Sequence, residues 1–235
     1  MLALCPDTSV FLKKRSASYQ SALIRTDTKP EQRRPSHRLR LGTLHASRRK
    51  KGLHVLANAY RLLREREGFP GARLEVAGYL GTENRDYLSG IEKMMNECGF
   101  GDEFHYRGIL DRNEKISFLR GLDVLSVPAT YDEPKGIFLL EAMACGVPVV
   151  QPRRGAFTEI VEKTGGGLLV EPDSDESIAE GILKLHDDPL LADELGSKGY
   201  SAIRELYDVA QMADSALEAY QALIEVSVPP AVAGG

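Results

Sequence analysis

Cysteine is scarce in this chain of 235 residues, where Cys5, Cys98 and Cys145 are odd in number and widely spaced. They form neither a disulfide framework nor a metal-ligand spacing, which points to a reducing, cytoplasmic setting. Long apolar runs are missing as well. None approaches the roughly 20 residues of a bilayer span, and the opening MLALC meets Pro6 too soon for a signal-peptide core. Aromatic residues are only 7% of the chain, and no nucleic-acid-binding motif sets them among the basic side chains. Nucleic acid is therefore not an expected partner, and there is no strong membrane signal. His37, His45, His54, His105 and His186 show no ligand spacing and no nucleophile beside them, so no metal is expected. No internal repeat is visible.

What remains is the composition of a soluble globular protein, 43% hydrophobic and 27% charged, with material for one full domain. The net charge of −4 hides an asymmetry, because residues 1–40 carry nine basic side chains against three acidic ones. Residues 1–38 read as a basic, poorly ordered leader. After it the pattern becomes regular. LRLGTL, ARLEVAGYL, EFHYRG, DVLSVPA, PVVQP and GGLLVEP read as strands, and amphipathic or apolar helical segments lie between them. Such alternation predicts an α/β fold: a single Rossmann-like, doubly wound parallel sheet over residues 39–190, with helices on both faces. From Asp175 onward the chain reads as almost wholly helical. This gives a C-terminal extension over 191–226 packed on the domain, then a disordered tail at 227–235.

One segment does not fit a purely structural role. From Gly136 to Cys145 the chain reads as a helix that is apolar on nearly every side, hence a buried one, yet Glu141 sits in its middle. Eight residues earlier Glu133 precedes Pro134, which biases it toward an extended backbone. Gly136 lets backbone approach a ligand, and the free amides of the first turn form an anion site. The pattern is carboxylate, amide cluster, carboxylate: acceptors for hydroxyl groups on either side of a place for phosphate. Burying a charged carboxylate costs several kcal/mol unless its oxygens find donors. Two alternatives stay open for Glu141, an internal partner such as an arginine, or a cap on a neighbouring helix. A second basic run, SRRKKG at 47–52, stands at the start of the first amphipathic helix, where cations oppose the helix dipole unless a polyanion meets them. QPRRGAF offers Gly155 at another helix start, with Arg153 and Arg154 as phosphate contacts.

EPKGIFLLEAMACGVPVV, with KGLHVLANAY upstream and RRGAFTEIVEKTGGGLLVEP downstream, resembles the C-terminal, nucleotide-sugar-binding half of family 4 (group 1) retaining glycosyltransferases of the GT-B fold. The resemblance runs from about Leu39 to Tyr220. It implies that Glu133 and Lys51 are catalytic, Glu133 holding the donor sugar's hydroxyls and Lys51 the diphosphate. It also implies substrate binding by Glu141 at the ribose and by Gly136, Ile137 and Phe138 through the first helical turn; Arg49 and Gly155 are expected binding residues from their own positions beside Lys51 and at the next helix start. The reaction implied is hexosyl transfer from a nucleotide diphosphate sugar to an unknown acceptor, with no cofactor and no essential metal. Two departures stand out. Ala46 occupies the position of a family arginine, leaving Arg48 or Arg49 to reach inward. The acceptor-binding half of the family is not recognisable in residues 1–38, so the chain is expected to be inactive alone and to need that domain from another chain or a homo-oligomer. The competing expectations are a non-catalytic nucleotide-sugar binder or degenerate fragment, and a GT-B-like nucleotide-sugar epimerase.

Overall fold

In the computed structural model, residues 38–44, 49–69, 71–207, 217, 218, 220 and 221 are described. Residues 1–37 of the expected leader at 1–38, Ala46 and Arg48, most of residues 208–226 of the expected C-terminal extension, and the tail at 227–235 lie outside them. Contacts divide the chain into a large unit over 24–203 and a smaller one that includes the residues from Arg204 on. The sheet belongs wholly to the large unit.

In chain order the elements are β1 (Leu39–Leu44), α1 (Leu53–Glu65), β2 (Ala72–Ala77), α2 (Arg85–Glu97), β3 (Phe104–Tyr106), α3 (Arg112–Arg120), β4 (Val124–Leu125), α4 (Ile137–Ala144), β5 (Val149–Pro152), α5 (Ala156–Thr164), β6 (Gly167–Val170), α6 (Asp175–Asp187) and α7 (Pro189–Leu206). Six strands form one sheet in the order β3-β2-β1-β4-β5-β6. Every pairing is parallel, with Leu41 opposite Leu74 and Val124, and Leu125 opposite Val149. The doubly wound parallel sheet read from the chain is the one present, and each strand falls within its expected segment.

Strand residues alternate between faces, so one parity of each strand feeds one core. Leu39, Leu41, Leu74, Val76, Val124 and Val150 join a cluster with Leu53, Leu56, Ala57, Tyr60 and Leu63 of α1, Leu88, Ile91 and Met95 of α2, and Ile178, Ile182 and Leu185 of α6. Leu53, Leu56, Ala57, Tyr60 and Leu63 form the apolar face of α1, as the amphipathic reading of this segment expects. Helices α4 and α5 pack against each other through a Phe138–Phe157 edge contact, ring centroids 5.7 Å apart. Every residue from Phe138 to Cys145 is buried, as a helix apolar all round requires. Local signals set the helix starts. Asp111 and Glu114 form a reciprocal capping box for α3, and the Ser174 hydroxyl accepts from the Ser177 amide for α6. The amino edge of the sheet is tied by Glu103, which accepts from the buried Tyr60 hydroxyl at 2.6 Å and from Arg64 at 2.8 and 3.1 Å.

Candidate functional site

The strand order reverses between β1 and β4, and in open parallel sheets ligands bind beyond the carboxyl ends of the strands at such a switch point. Three loops meet there. One follows β1 and tightens into a 3-10 turn at Arg49–Lys51, one joins β4 to α4, and one joins β5 to α5. They are stitched together through their backbones. The Thr130 amide donates to the Lys50 carbonyl at 2.9 Å, and the Ala156 amide donates to the Glu133 carbonyl at 2.8 Å. A side chain on Gly52 would meet the Pro128 carbonyl oxygen at 1.8 Å, so the first loop lies directly on the second.

Glu133 sits at the junction and is 6% exposed. Its Oε2 accepts from Lys51 Nζ at 2.6 Å and from the Tyr131 hydroxyl, while Oε1 faces the amides of Lys135 and Gly136 at 3.4 Å each. Burial works to raise the carboxyl's pKa, but the bonds from Lys51 and Tyr131 outweigh it and hold the group below the ordinary value of 4.5. The carboxylate is therefore charged at neutral pH. Lys51 is enclosed by the same groups, its ammonium 4.9 Å from the Phe138 ring centroid and 5.4 Å from that of Tyr131. Cation–π attraction adds to the ion pair.

Gly155 holds this arrangement from behind. Its φ of 51° with ψ of −142° is a conformation almost confined to glycine, and an added Cβ would stand 2.7 Å from both Glu133 N and Glu133 O. Gly136, at φ 59°, turns the chain into α4, whose first turn begins with the half-buried Ile137 and the buried Phe138. Arg49 is exposed at the turn beside Lys51. Arg49, Lys50 and Lys135 make no ion pair among the described residues. Arg153 and Arg154 are already engaged. Arg153 pairs with Glu162 at 2.7 Å, and Arg154 donates to the Ala129 carbonyl at 3.4 Å and to both oxygens of Asp173.

Glu141 answers to a different partner. Its Oε1 accepts from Lys115 Nζ on α3 at 2.7 Å, and Oε2 has no hydrogen-bond partner among the described residues. The Glu141 side chain is 4% exposed and that of Lys115 is 30% exposed. The anticipated internal cation exists, then, but it is an ammonium from α3 rather than a guanidinium, and it occupies one oxygen. Burial raises the Glu141 pKa above 4.5, and Lys115 pulls in the opposite direction without prevailing. Cys145, one turn on, has its thiol pushed up by burial to about 11, which leaves it un-ionised and unreactive at neutral pH.

The structure thus brings Lys51, Glu133, Gly136, Phe138 and Gly155 together, puts Arg49 at their margin, and holds Glu141 through a separate contact with α3. Lys115 and Tyr131 were not singled out from the chain. Tyr131 lies two residues before Glu133 and was open to suspicion as a phenol beside a buried carboxylate. Nothing local ties Lys115 to Glu141, 26 residues away. Among the described residues no group of His, Cys, Asp or Glu is arranged to hold a metal ion, and no helix is long and apolar enough to cross a membrane.

Residues 24–202 match the family Glycosyl transferases group 1. The chain belongs to that family. A D-inositol 3-phosphate glycosyltransferase of Pseudarthrobacter chlorophenolicus is 30% identical over 198 residues, 82% of this chain and 46% of that protein. Sucrose-phosphate synthase from Thermosynechococcus elongatus has a similar fold with a TM-score of 0.70 at 27% identity, over 80% of this chain and 46% of the other. HepE of Anabaena, solved in complex with UDP and glucose, shares the fold with a TM-score of 0.71 at 19% identity, over 93% of this chain and 53% of its own. The chain spans about half the length of the curated relatives it matches. It is a group 1 glycosyltransferase domain, homologous to GT-B enzymes.

Proposed function

We propose that this domain binds a nucleotide diphosphate sugar and serves the donor side of a retaining hexosyl transfer, the acceptor side being met by a second domain. The observation that carries the reading is the Lys51–Glu133 pair, 2.6 Å apart at the switch point and directly before the first turn of α4. A diphosphate in that crevice gains the Lys51 ammonium, the amides at the start of α4 and the exposed cations Arg49, Lys50 and Lys135. Glu133, released from Lys51, becomes an acceptor for sugar hydroxyls, and the open oxygen of Glu141 becomes one for ribose hydroxyls. When the bond from the anomeric carbon to the diphosphate breaks, the leaving oxygen keeps the electron pair, and Lys51 with the helix amides stabilises that charge. The UDP and glucose carried by the Anabaena neighbour support a donor of this class.

The test is binding. Wild type is heated with UDP, GDP, ADP and their glucose or mannose conjugates. A ligand at a hundred times its Kd adds about 2.7 kcal/mol to native-state stability. For a domain of this size that corresponds to about 5–10 °C in Tm. At least one nucleoside diphosphate is expected to give a saturable shift that Lys51→Ala abolishes. No shift from any of them at millimolar concentration overturns the proposal. Hydrolysis or transfer products from the nucleotide sugar that binds then separate an enzyme from a non-catalytic binder.

A further inference from the structure

Glu133 is surrounded by four donors, and they are unequal. Lys51 and the Tyr131 phenol both address Oε2, whereas the amides of Lys135 and Gly136 stand at 3.4 Å from Oε1. A diphosphate that engages Lys51 must draw the ammonium away from a carboxylate that is 6% exposed. Such a carboxylate, left with long amide contacts alone, carries the cost of an unpaired buried charge. The phenol is the one strong donor that can stay. Tyr131 is half-buried on the same loop, two residues before Glu133, and its ring forms one wall of the space around the Lys51 ammonium, 5.4 Å from it.

Resting on the reading of this site as a nucleotide-sugar site, we propose that Tyr131 is a positioning residue: its hydroxyl keeps the Glu133 carboxylate charged and in place while an incoming diphosphate takes Lys51. The loop then exchanges partners without abandoning a charge. Lys51 passes from carboxylate to phosphate, and Glu133 passes from ammonium to phenol and on to a sugar hydroxyl. A bare nucleoside diphosphate depends on the phenol most, because it brings no hydroxyl to replace it at Glu133. A nucleotide sugar depends on it less.

Two measurements decide the matter. The first needs no ligand. Glutamate carboxyl carbons are labelled, Glu133 is assigned with Glu133→Gln, and its titration is followed by NMR in wild type, Tyr131→Phe, Lys51→Met and the double variant. Lys51→Met imitates withdrawal of the ammonium. The Glu133 midpoint is expected to be higher in the double variant than in Lys51→Met, and that step is expected to exceed the one from wild type to Tyr131→Phe. Equal midpoints in Lys51→Met and the double variant overturn the role of Tyr131 and leave the site reading standing. The second is calorimetric titration with the nucleoside diphosphate and nucleotide sugar that bind wild type. Loss of one hydrogen bond to a charged group predicts about tenfold weaker nucleoside diphosphate binding in Tyr131→Phe. The nucleotide sugar is expected to lose less, so their affinity ratio changes. Equal losses for both, with a lowered Tm, mark a merely structural tyrosine and overturn the proposal. Absence of nucleotide binding in wild type overturns the site reading itself.

Discussion

Glu141→Gln is expected to make the protein more stable and bind its ligand less well. Glutamine keeps the shape and one carbonyl acceptor for Lys115 Nζ, now 2.7 Å from Oε1, but removes the charge. Two terms oppose each other. The charge-assisted bond from Lys115, about 1.5–3 kcal/mol, is replaced by one nearer 1 kcal/mol. Against that, the variant no longer holds a charge in a position 3% exposed, where effective desolvation costs several kcal/mol. The sign follows from the direction of the Glu141 pKa, which burial raises despite Lys115: the fold as a whole disfavours the charged form. The net gain is about 1 kcal/mol at pH 7, or about 2–4 °C in Tm. A carboxyl whose folded pKa is raised supplies stability below its unfolded value of 4.5 and loses it as pH rises through the folded value. The variant's advantage is therefore largest at neutral pH and shrinks toward pH 4.5. Calorimetric scans from pH 5 to 8 read this directly, and titration with the nucleoside diphosphate is expected to show about tenfold weaker binding for a lost charged acceptor. A Tm that falls at pH 7, or a gain that does not shrink in acid, refutes the electrostatic reasoning. Unchanged nucleotide affinity refutes the ribose role.

Two further substitutions separate site from scaffold. Gly155→Ala places a Cβ 2.7 Å from the Glu133 backbone at a glycine-type φ and ψ, so it is expected to cost about 2–3 kcal/mol of stability and to weaken nucleotide binding by shifting Glu133; full affinity in a folded variant contradicts this. Tyr60→Phe removes the 2.6 Å bond to Glu103 at the amino edge of the sheet and is expected to cost about 1–2 kcal/mol while leaving nucleotide affinity unchanged. A loss of affinity there places the site elsewhere.

The fold was legible because its determinants are local. Leu39 and Leu41 on either side of the exposed Arg40, or Leu53, Leu56 and Tyr60, announce a strand and a helix by spacing alone, and both patterns are buried as the spacing requires. The buried Phe138–Cys145 segment was legible for the complementary reason, since a helix without a polar stripe has nowhere to lie but inside. Glu141 stood out by incongruity, charge where the pattern asks for grease, and Glu133 by its place before Pro134 eight residues upstream. Their partners did not. Lys51 and Glu133 are 82 positions apart, and Lys115 and Glu141 are 26 apart, so each pair exists only once the sheet has stacked its loops. Arg153 and Arg154, read as phosphate contacts, face Glu162 and Asp173 instead, 9 and 19 positions away. Spacing names the charges in a fold; topology decides which of them meet.

The two glutamates also show that an ion pair does not by itself say what a carboxylate is for. Each accepts a lysine at 2.6 or 2.7 Å, yet the Glu133 pKa is lowered and the Glu141 pKa raised. The difference is the number of donors per unit of burial. Glu133 has the Tyr131 phenol and two backbone amides besides its lysine, and their sum exceeds the desolvation cost. Glu141 lies deeper and, among the described residues, has Lys115 alone and a second oxygen without a partner. An added hydroxyl donor therefore stabilises Glu141 more than it stabilises Glu133, because the first hydrogen bond to an under-satisfied buried charge offsets a cost already incurred. A ligand rich in hydroxyls is favoured at Glu141 even before Lys51 has exchanged partners. In the proposed function the diphosphate is what unlocks Glu133. If the site takes the proposed donor, its nucleoside end is expected to bind first, and the sugar only once the phosphates have displaced the internal pair.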